Sequence, residues 1–418
     1  MRLQGGRVSG SISQPSTAIN TGEPPRRGPL VTALGFNQIL SWGSSYYLLA
    51  VLAKPIVADS GWSLPWVVGG ISLGLLAGGV ASPYVGRTIE HHGGRLVLSC
   101  SSILFALGLG CLSLTVSLPM YLAAWLIIGF AMGSGLYDAT FATLGRIYGR
   151  NARSVITMLT LFGGFASTVC WPLTAFLAAE LGWRGACLVY AGLHLVVCLP
   201  LNLLVLPRGN PAPSSAAAPA PPSATLPRDG SSSRKKMVEF ALLTAIVTLN
   251  SGLTVVISVH LLSILQTRGM GLAAAVALGA LIGPAQVGAR MIELAFGRFY
   301  HPLWTMIAST TLVAAGLMLM QDPFRIMAVA LVVYGGGVGL GSIARGTVPL
   351  RLFGPLGYAS LMGRLAMPSL LAQALFPSLA SFLLVHGDAN LTLTIVMGMA
   401  LANVVLVILL RTVAKASR

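Results

Sequence analysis

Acidic residues are nearly missing from this chain, which carries 10 Asp and Glu in 418 positions. All charged residues together reach only 9%. A soluble domain uses roughly a quarter, so this chain cannot clothe a water-facing surface. Cysteine is scarce too. Cys100, Cys111, Cys170, Cys187 and Cys198 stand singly with no Cys-x-x-Cys spacing, which argues against a zinc site or a disulfide framework. A phosphate-binding loop is missing as well. The glycine run Gly335-Gly336-Gly337, Gly339 and Gly341 is followed by no Lys-Ser/Thr and lies inside an apolar stretch, where glycine serves close helix contact and bending. Nothing here would drive an ATP-fuelled pump, and no cofactor is expected. With no second acid near Asp138 in sequence, an enzyme is not expected either. No cleavable leader is evident: residues 1–29 are polar and basic and read as a cytoplasmic tail.

What the chain has instead is hydrophobicity, at 55% of residues with a mean hydropathy of +0.82, and 49 glycines. Its solvent is lipid. Apolar stretches near the ~20 residues that span a bilayer fall at 31–53, 64–85, 96–117, 120–144, 154–179, 186–206, 238–265, 271–292, 303–321, 326–349, 360–385 and 390–410. The Pro- and Ala-rich stretch 207–236 is a linker. It leaves a tail at 1–29, six-helix bundles at 30–206 and 237–411, and a tail at 412–418. The net charge of +16 belongs to loops rather than to a stripe that would bind nucleic acid. With the N-terminus inside, all but six of the 26 Lys and Arg fall on the cytoplasmic side. Lys54, Arg184, Arg268 and Arg325 fall outside, and Arg290 and Arg345 fall in or near spans. Both termini are therefore expected in the cytoplasm.

The halves repeat. Arg87-Thr88-Ile89-Glu90 with Gly94-Arg95 returns 203 residues later as Arg290-Met291-Ile292-Glu293 with Gly297-Arg298. Trp171-Pro172, Ala175 and Gly182 return 205 residues later as Phe376-Pro377, Ala380 and Gly387. Parallel repeats of this kind suit a carrier with its site between two bundles.

The loop Gly86-Arg87-Thr88-Ile89-Glu90-His91-His92-Gly93-Gly94-Arg95 resembles the signature loop of the major facilitator superfamily, with Glu90 at the acidic position and His91 at a basic one. The resemblance runs over 31–410. It implies an all-α membrane protein of twelve transmembrane helices in two pseudo-symmetric six-helix bundles. It also implies a gate loop of Gly86, Arg87, Glu90, Gly93 and Arg95, with Glu293 and Arg298 as the repeated copy. Asn37-Gln38, Trp42-Gly43, Tyr46-Tyr47 and Lys54-Pro55 resemble the first span of bacterial monocarboxylate-transporter-like members. In span eight those carriers have an Asp four residues before an Arg. This chain keeps Arg290 and has Gln286 at the acidic position. Gly164-Phe165-Ala166-Ser167-Thr168 and Gly182-Trp183-Arg184 resemble a branch that exports trivalent arsenicals.

A charge within a bilayer costs roughly 2.5–3.5 kcal/mol on insertion scales and needs a partner or a wet cavity. Asp138 and Arg345 sit at nearly equivalent depth by the repeat offset, and the superfamily's cleft is lined by spans one, four, seven and ten. We expect both to face the cleft, Asp138 as proton acceptor and Arg345 as its partner or an anion ligand. The bland alternative is a structural pair near the gate. Arg290 stands either in the cavity or at the cytoplasmic end of its span, with Glu293 one turn on. Gln38, Trp42 and Tyr46 form an i, i+4, i+8 stripe; with Asn37, Tyr47 and Asn250 they give a polar and aromatic cleft face, or else an interfacial belt. His194 and His260 read as hydrogen-bonded structural histidines, with a proton relay as the alternative for each. Cys170 is the one thiol expected near the cleft; cysteine as a small apolar filler is the plainer view.

The function expected is secondary transport of a small solute by a monomer in the bacterial inner membrane, driven by the proton gradient. The substrate leans to trivalent arsenicals by efflux, with small monocarboxylates as the alternative and a transport-dead sensor as a third reading.

Overall fold

The computed structural model describes residues 25–208, 230–321, 326–386 and 389–415. Most of the two tails, most of the linker, Arg325 and Gly387 lie outside the described residues.

Among the described residues, nine helical stretches are long and apolar enough to cross a membrane. One of them, Leu118–Val205, is 88 residues long and so must fold back on itself. Leu136 is extended (φ −80°, ψ −168°) and separates α5 (Leu118–Gly135) from α6 (Tyr137–Tyr148) within one pass. The turn Gly149–Asn151 ends that pass. The next is α7 (Ala152–Gly164) with α8 (Ala166–Leu193), and Gly182 at φ +70° reverses the chain, a conformation natural to glycine. The returning pass ends in α9 (Leu199–Val205). This stretch therefore counts as three. The first pass, α1 (Arg27–Gly43) and α2 (Leu48–Ser60), is broken by a turn at 44–47. Among the described residues the count is twelve, as the hydropathy predicts.

The other elements are α3 (Leu64–His92), α4 (Gly94–Ser113), α10 (Gly230–Thr267), α11 (Leu272–Gly279), α12 (Ile282–Phe296), α13 (Pro302–Leu319), α14 (Met327–Phe353), α15 (Tyr358–His386) and α16 (Ala389–Lys415). Glycines let these helices touch. A Cβ at Gly78 would lie 2.7 Å from the Gly129 carbonyl oxygen, and one at Gly339 would lie 2.5 Å from that of Gln286. Packing of this kind drives helix association where no hydrophobic effect separates helix from lipid.

The two ends of the bundle differ. At the end carrying the termini, one apolar cluster draws on both halves: Leu30, Leu144 and Ile156 from the first, Val247, Val348 and Met362 from the second. At the opposite end the clusters separate. One holds Leu52, Trp125 and Tyr190 and takes from the second half only Ala366, Leu370 and Ala374. The other, with Ile257, Leu317 and Leu331, takes nothing from the first half among the described residues. The bundle is sealed at its terminal end and parted at the other.

Candidate functional site

The break at Leu136 sets up the centre. It frees the Gly135 carbonyl, which in lipid must find a donor. Gln38 supplies one at 2.8 Å and also donates to Thr140 Oγ1 at 2.9 Å. The restarted helix puts Asp138 in the first turn of α6, where the helix dipole favours a carboxylate. Asp138 faces the second half. Arg345 of α14 meets it with two parallel bonds of 2.7 Å, and the side chains are 17% and 16% exposed. Bidentate geometry of this kind is the strong form of the pair. Arg345 also donates to Ser251 Oγ at 2.9 Å, and Ser251 hydrogen-bonds with Ser369 at 3.0 Å. Gln373 continues the chain from Ser369 and accepts a hydrogen bond from Tyr46. A polar path thus runs from Tyr46 of the first half through the second half and back to Asp138.

Aromatic rings surround it. Trp42 donates to Gln38 at 3.2 Å and lies 5.0 Å from Tyr46, 5.2 Å from Tyr137 and 6.2 Å from Tyr47. Tyr47 meets Trp171 edge-on at 5.9 Å. Beside these rings a cavity of about 530 Å³ is lined by Ala50, Val51, Ser167, Thr168, Trp171, Pro172 and Ala175. Gly164, the last residue of α7, lies one turn before the lining residue Thr168, and a Cβ there would lie 2.5 Å from Arg290 Nη1.

Arg290 thus packs against Gly164 and is 4% exposed, with its charge near the hydroxyls of Tyr47 and Tyr137. It donates to the carbonyls of Thr160 (2.9 Å) and Gly339 (3.4 Å) and to Gln286 Oε1 (3.2 Å). All three acceptors are neutral. No carboxylate pairs with it among the described residues.

Glu293 does not neutralise Arg290, contrary to the expectation from its spacing. It is 3% exposed and turns to Arg153 Nη2 (3.0 Å), the Tyr300 hydroxyl (2.5 Å) and Thr305 (2.9 Å). Arg153 belongs to the first half and also donates to the Tyr300 carbonyl at 2.6 Å, so this is a latch between halves. Burial, then the bond to Glu293, pushes the Tyr300 phenol up to about 12. The first copy of the loop makes a different latch. Glu90 accepts from the Ala359 backbone N–H at 3.0 Å, at the start of α15, and lies 3.7 Å from Arg146. Gly86 admits α15 closely, and Gly93 caps α3 at φ +81°. Arg87 and Arg298 are both exposed at the surface over Tyr84 and Phe299, and neither is in an ion pair across the halves among the described residues. Arg95 is half-buried, with its Nε lacking a partner.

Several other expected pathway residues turn elsewhere. Asn37 donates to Asn202 at 2.9 Å and staples α1 to α9, because one residue's rotation carries it off the Gln38 face. His260 hydrogen-bonds the Pro377 carbonyl at 2.9 Å and joins α10 to α15 within one half. His194, expected as a structural histidine, hydrogen-bonds with Ser44 at 2.8 Å, stacked on Phe105. Cys170 is fully buried, its thiol turned to the Ile39 carbonyl at 3.4 Å, away from the cavity. Asn250 packs at Gly341 with its Oδ1 unpartnered. Ser251, Ser369, Gln373, Tyr137, Arg153 and Tyr300 were not anticipated. Gln373, a polar residue inside a span, was the one signal that could have been read.

A sequence profile of the Major Facilitator Superfamily matches residues 34–299, well over half the chain. The chain belongs to the major facilitator superfamily. As a superfamily member it is a transporter and not an enzyme. It is distantly similar to human monocarboxylate transporter 11, at 31% identity over 60% of this chain and 52% of that protein. The mouse monocarboxylate transporter 11 matches at 30% over 73% of this chain and 63% of its own length. The chain thus spans between half and two-thirds of these relatives. The superfamily fold is shared with the human organic anion transporter MFSD10 (TM-score 0.68, 16% identity, 92% of this chain and 100% of that one). It is shared too with the proton:xylose symporter XylE (TM-score 0.65, 12% identity, 90% and 94%).

Proposed function

We propose that this transporter carries a small organic anion, a monocarboxylate by class, by alternating access between its two halves. The observation that carries this is Arg290: a buried guanidinium with only neutral acceptors, packed against Gly164 one turn from the wall of a 530 Å³ cavity. A buried charge without a counter-charge is costly, and an arriving carboxylate supplies one. The cavity size falls within the range of small-molecule sites. The apolar and aromatic walls suit a short carbon chain, and the names of the sequence relatives support the same class. Asp138 is the proton acceptor in this scheme: protonation releases it from Arg345 and unlocks the two halves. Gln286, an amide, cannot take that role. The excess of basic residues in the loops supports a cytoplasmic terminal end in a bacterial inner membrane, with the cavity towards the outside.

An arsenical substrate finds no support in the cavity, where trivalent arsenic would seek thiols. Cys170 points away, and no group of three His, Cys, Asp or Glu suited to a metal occurs among the described residues.

The test is uptake of labelled pyruvate and lactate into proteoliposomes under an imposed proton gradient, with arsenite alongside. Uptake in the wild type and its loss in Arg290→Gln, with that variant still folded and inserted, is the expected result. Equal uptake by Arg290→Gln sinks the proposal, as does arsenite transport in a preparation that ignores both acids.

A further inference from the structure

A second concavity lies on the lipid-facing side of the first half, remote from the cleft. It has a volume of about 420 Å³ and is lined by α3 (Val80, Ala81, Tyr84, Val85, Thr88), α4 (Leu96, Val97, Cys100, Leu104) and α5 (Phe130, Ser134). On α3 the lining positions 81, 84, 85 and 88 follow helical spacing, and the same stripe continues to 91 and 92. The groove is therefore apolar along its length and ends, at the terminal face, beside His91 and His92, both exposed. Tyr84 is 66% exposed at the same depth, and the Arg87 guanidinium lies 6.0 Å from its ring centre. The acid of this turn, Glu90, is committed inward to Ala359 and Arg146. Arg87 thus makes the mouth of the groove positive, with no exposed carboxylate of its own turn to cancel it.

We propose that this groove is a site for one anionic phospholipid, its acyl chain along α3 and α4 and its phosphate against Arg87 and His92. Apolar length and polar end are in the right order for such a molecule and for no soluble anion. A zwitterionic lipid would fill the same groove while bringing an ammonium group to an already positive mouth. Basic pockets at the ends of membrane helices recognise lipid phosphates by this combination. The acyl part contributes through burial and the phosphate through charge-assisted hydrogen bonds. Tyr84 fits the interfacial depth preferred by aromatic anchors.

The probe is a nanodisc containing equal amounts of phosphatidylglycerol and phosphatidylcholine with identical chains, followed by native mass spectrometry of the released protein. The wild type is expected to retain one phosphatidylglycerol several-fold more often than phosphatidylcholine. Arg87→Gln with His92→Gln should bring the two lipids to parity. Ala81→Trp, which fills the groove, should reduce retention of the bound lipid while leaving Arg87 and His92 in place. Equal retention of the two lipids by the wild type overturns the proposal. So does a phosphatidylglycerol preference that survives the double substitution in protein of unchanged melting temperature.

Discussion

Removing Asp138 should unlock the terminal end of the bundle. The carboxylate accepts two 2.7 Å bonds from Arg345, and the pair is more than four-fifths buried. Asp138→Asn keeps the shape but leaves Arg345 with Ser251 and no counter-charge. Stranding one member of a buried pair costs about 3–5 kcal/mol. Asp138 rides on the first half and Arg345 on the second, so the loss falls on the conformer that is sealed at the terminal end. At 1.4 kcal/mol per tenfold, 3 kcal/mol shifts the balance between sealed and open forms by about a hundredfold. Replacing both charges, Asp138→Asn with Arg345→Gln, strands nothing and should restore much of the sealed population. Spin labels at Arg150 and Leu356, exposed on terminal loops of opposite halves, read the change as a distance in double electron–electron resonance. The labels go into a background with the five native cysteines replaced. A single mutant with the wild-type distance distribution, or a double mutant more open than either single one, would refute the energetic reasoning.

Gly164→Ala pushes a methyl against Arg290 Nη1 and should weaken anion binding several-fold without changing net charge, seen as a raised KM in proteoliposome uptake. Gln38→Ala leaves the Gly135 carbonyl with the longer 3.3 Å bond from the Thr140 hydroxyl and should destabilise by about 1 kcal/mol in thermal unfolding; Gln38→Glu, which cannot donate when ionised, should not rescue it. Glu293→Gln cancels the charge at the second latch and should lower thermal stability, while adding Arg153→Met should recover part of the loss. The Tyr300 phenol is raised to about 12, above its ordinary 10. The stability it contributes is thus complete below pH 10 and declines as pH rises towards 12; Tyr300→Phe should flatten that alkaline limb in a pH-resolved melting series.

Sequence patterns reached the architecture because hydropathy and repetition are local or periodic signals. Lipid forces every span to be apolar throughout, and the loop beginning Arg87 could be matched to the one beginning Arg290 by spacing alone. The pairing of Asp138 with Arg345 was legible for a related reason: pseudo-symmetry sets two unlike residues at one depth. What lay beyond reach was azimuth. Asn37 and Gln38 are neighbours in sequence, but a helix turns roughly 100° between them, sending one to Asn202 and the other to the break at Leu136. No residue type announces that break. Glu293 shows a second difficulty. Its spacing from Arg290 satisfies the one-turn rule, but Arg153, 140 positions away, competes successfully. Serines 251 and 369 were lost among small residues that pack helices everywhere in this chain.

The uneven sealing of the two ends has a mechanical consequence. To present its cavity to the terminal side, the protein must pull apart a greasy plug drawn from both bundles, with Glu90 and Glu293 unclasped at its rim. That work cannot come from the plug itself. A carrier that returns to its starting point must find a comparable seam at the far end, where the two clusters now stand apart. The bare faces there are therefore one half of a balance, and substitutions that grease or roughen them should tilt the resting orientation of the carrier as surely as cutting its salt bridges.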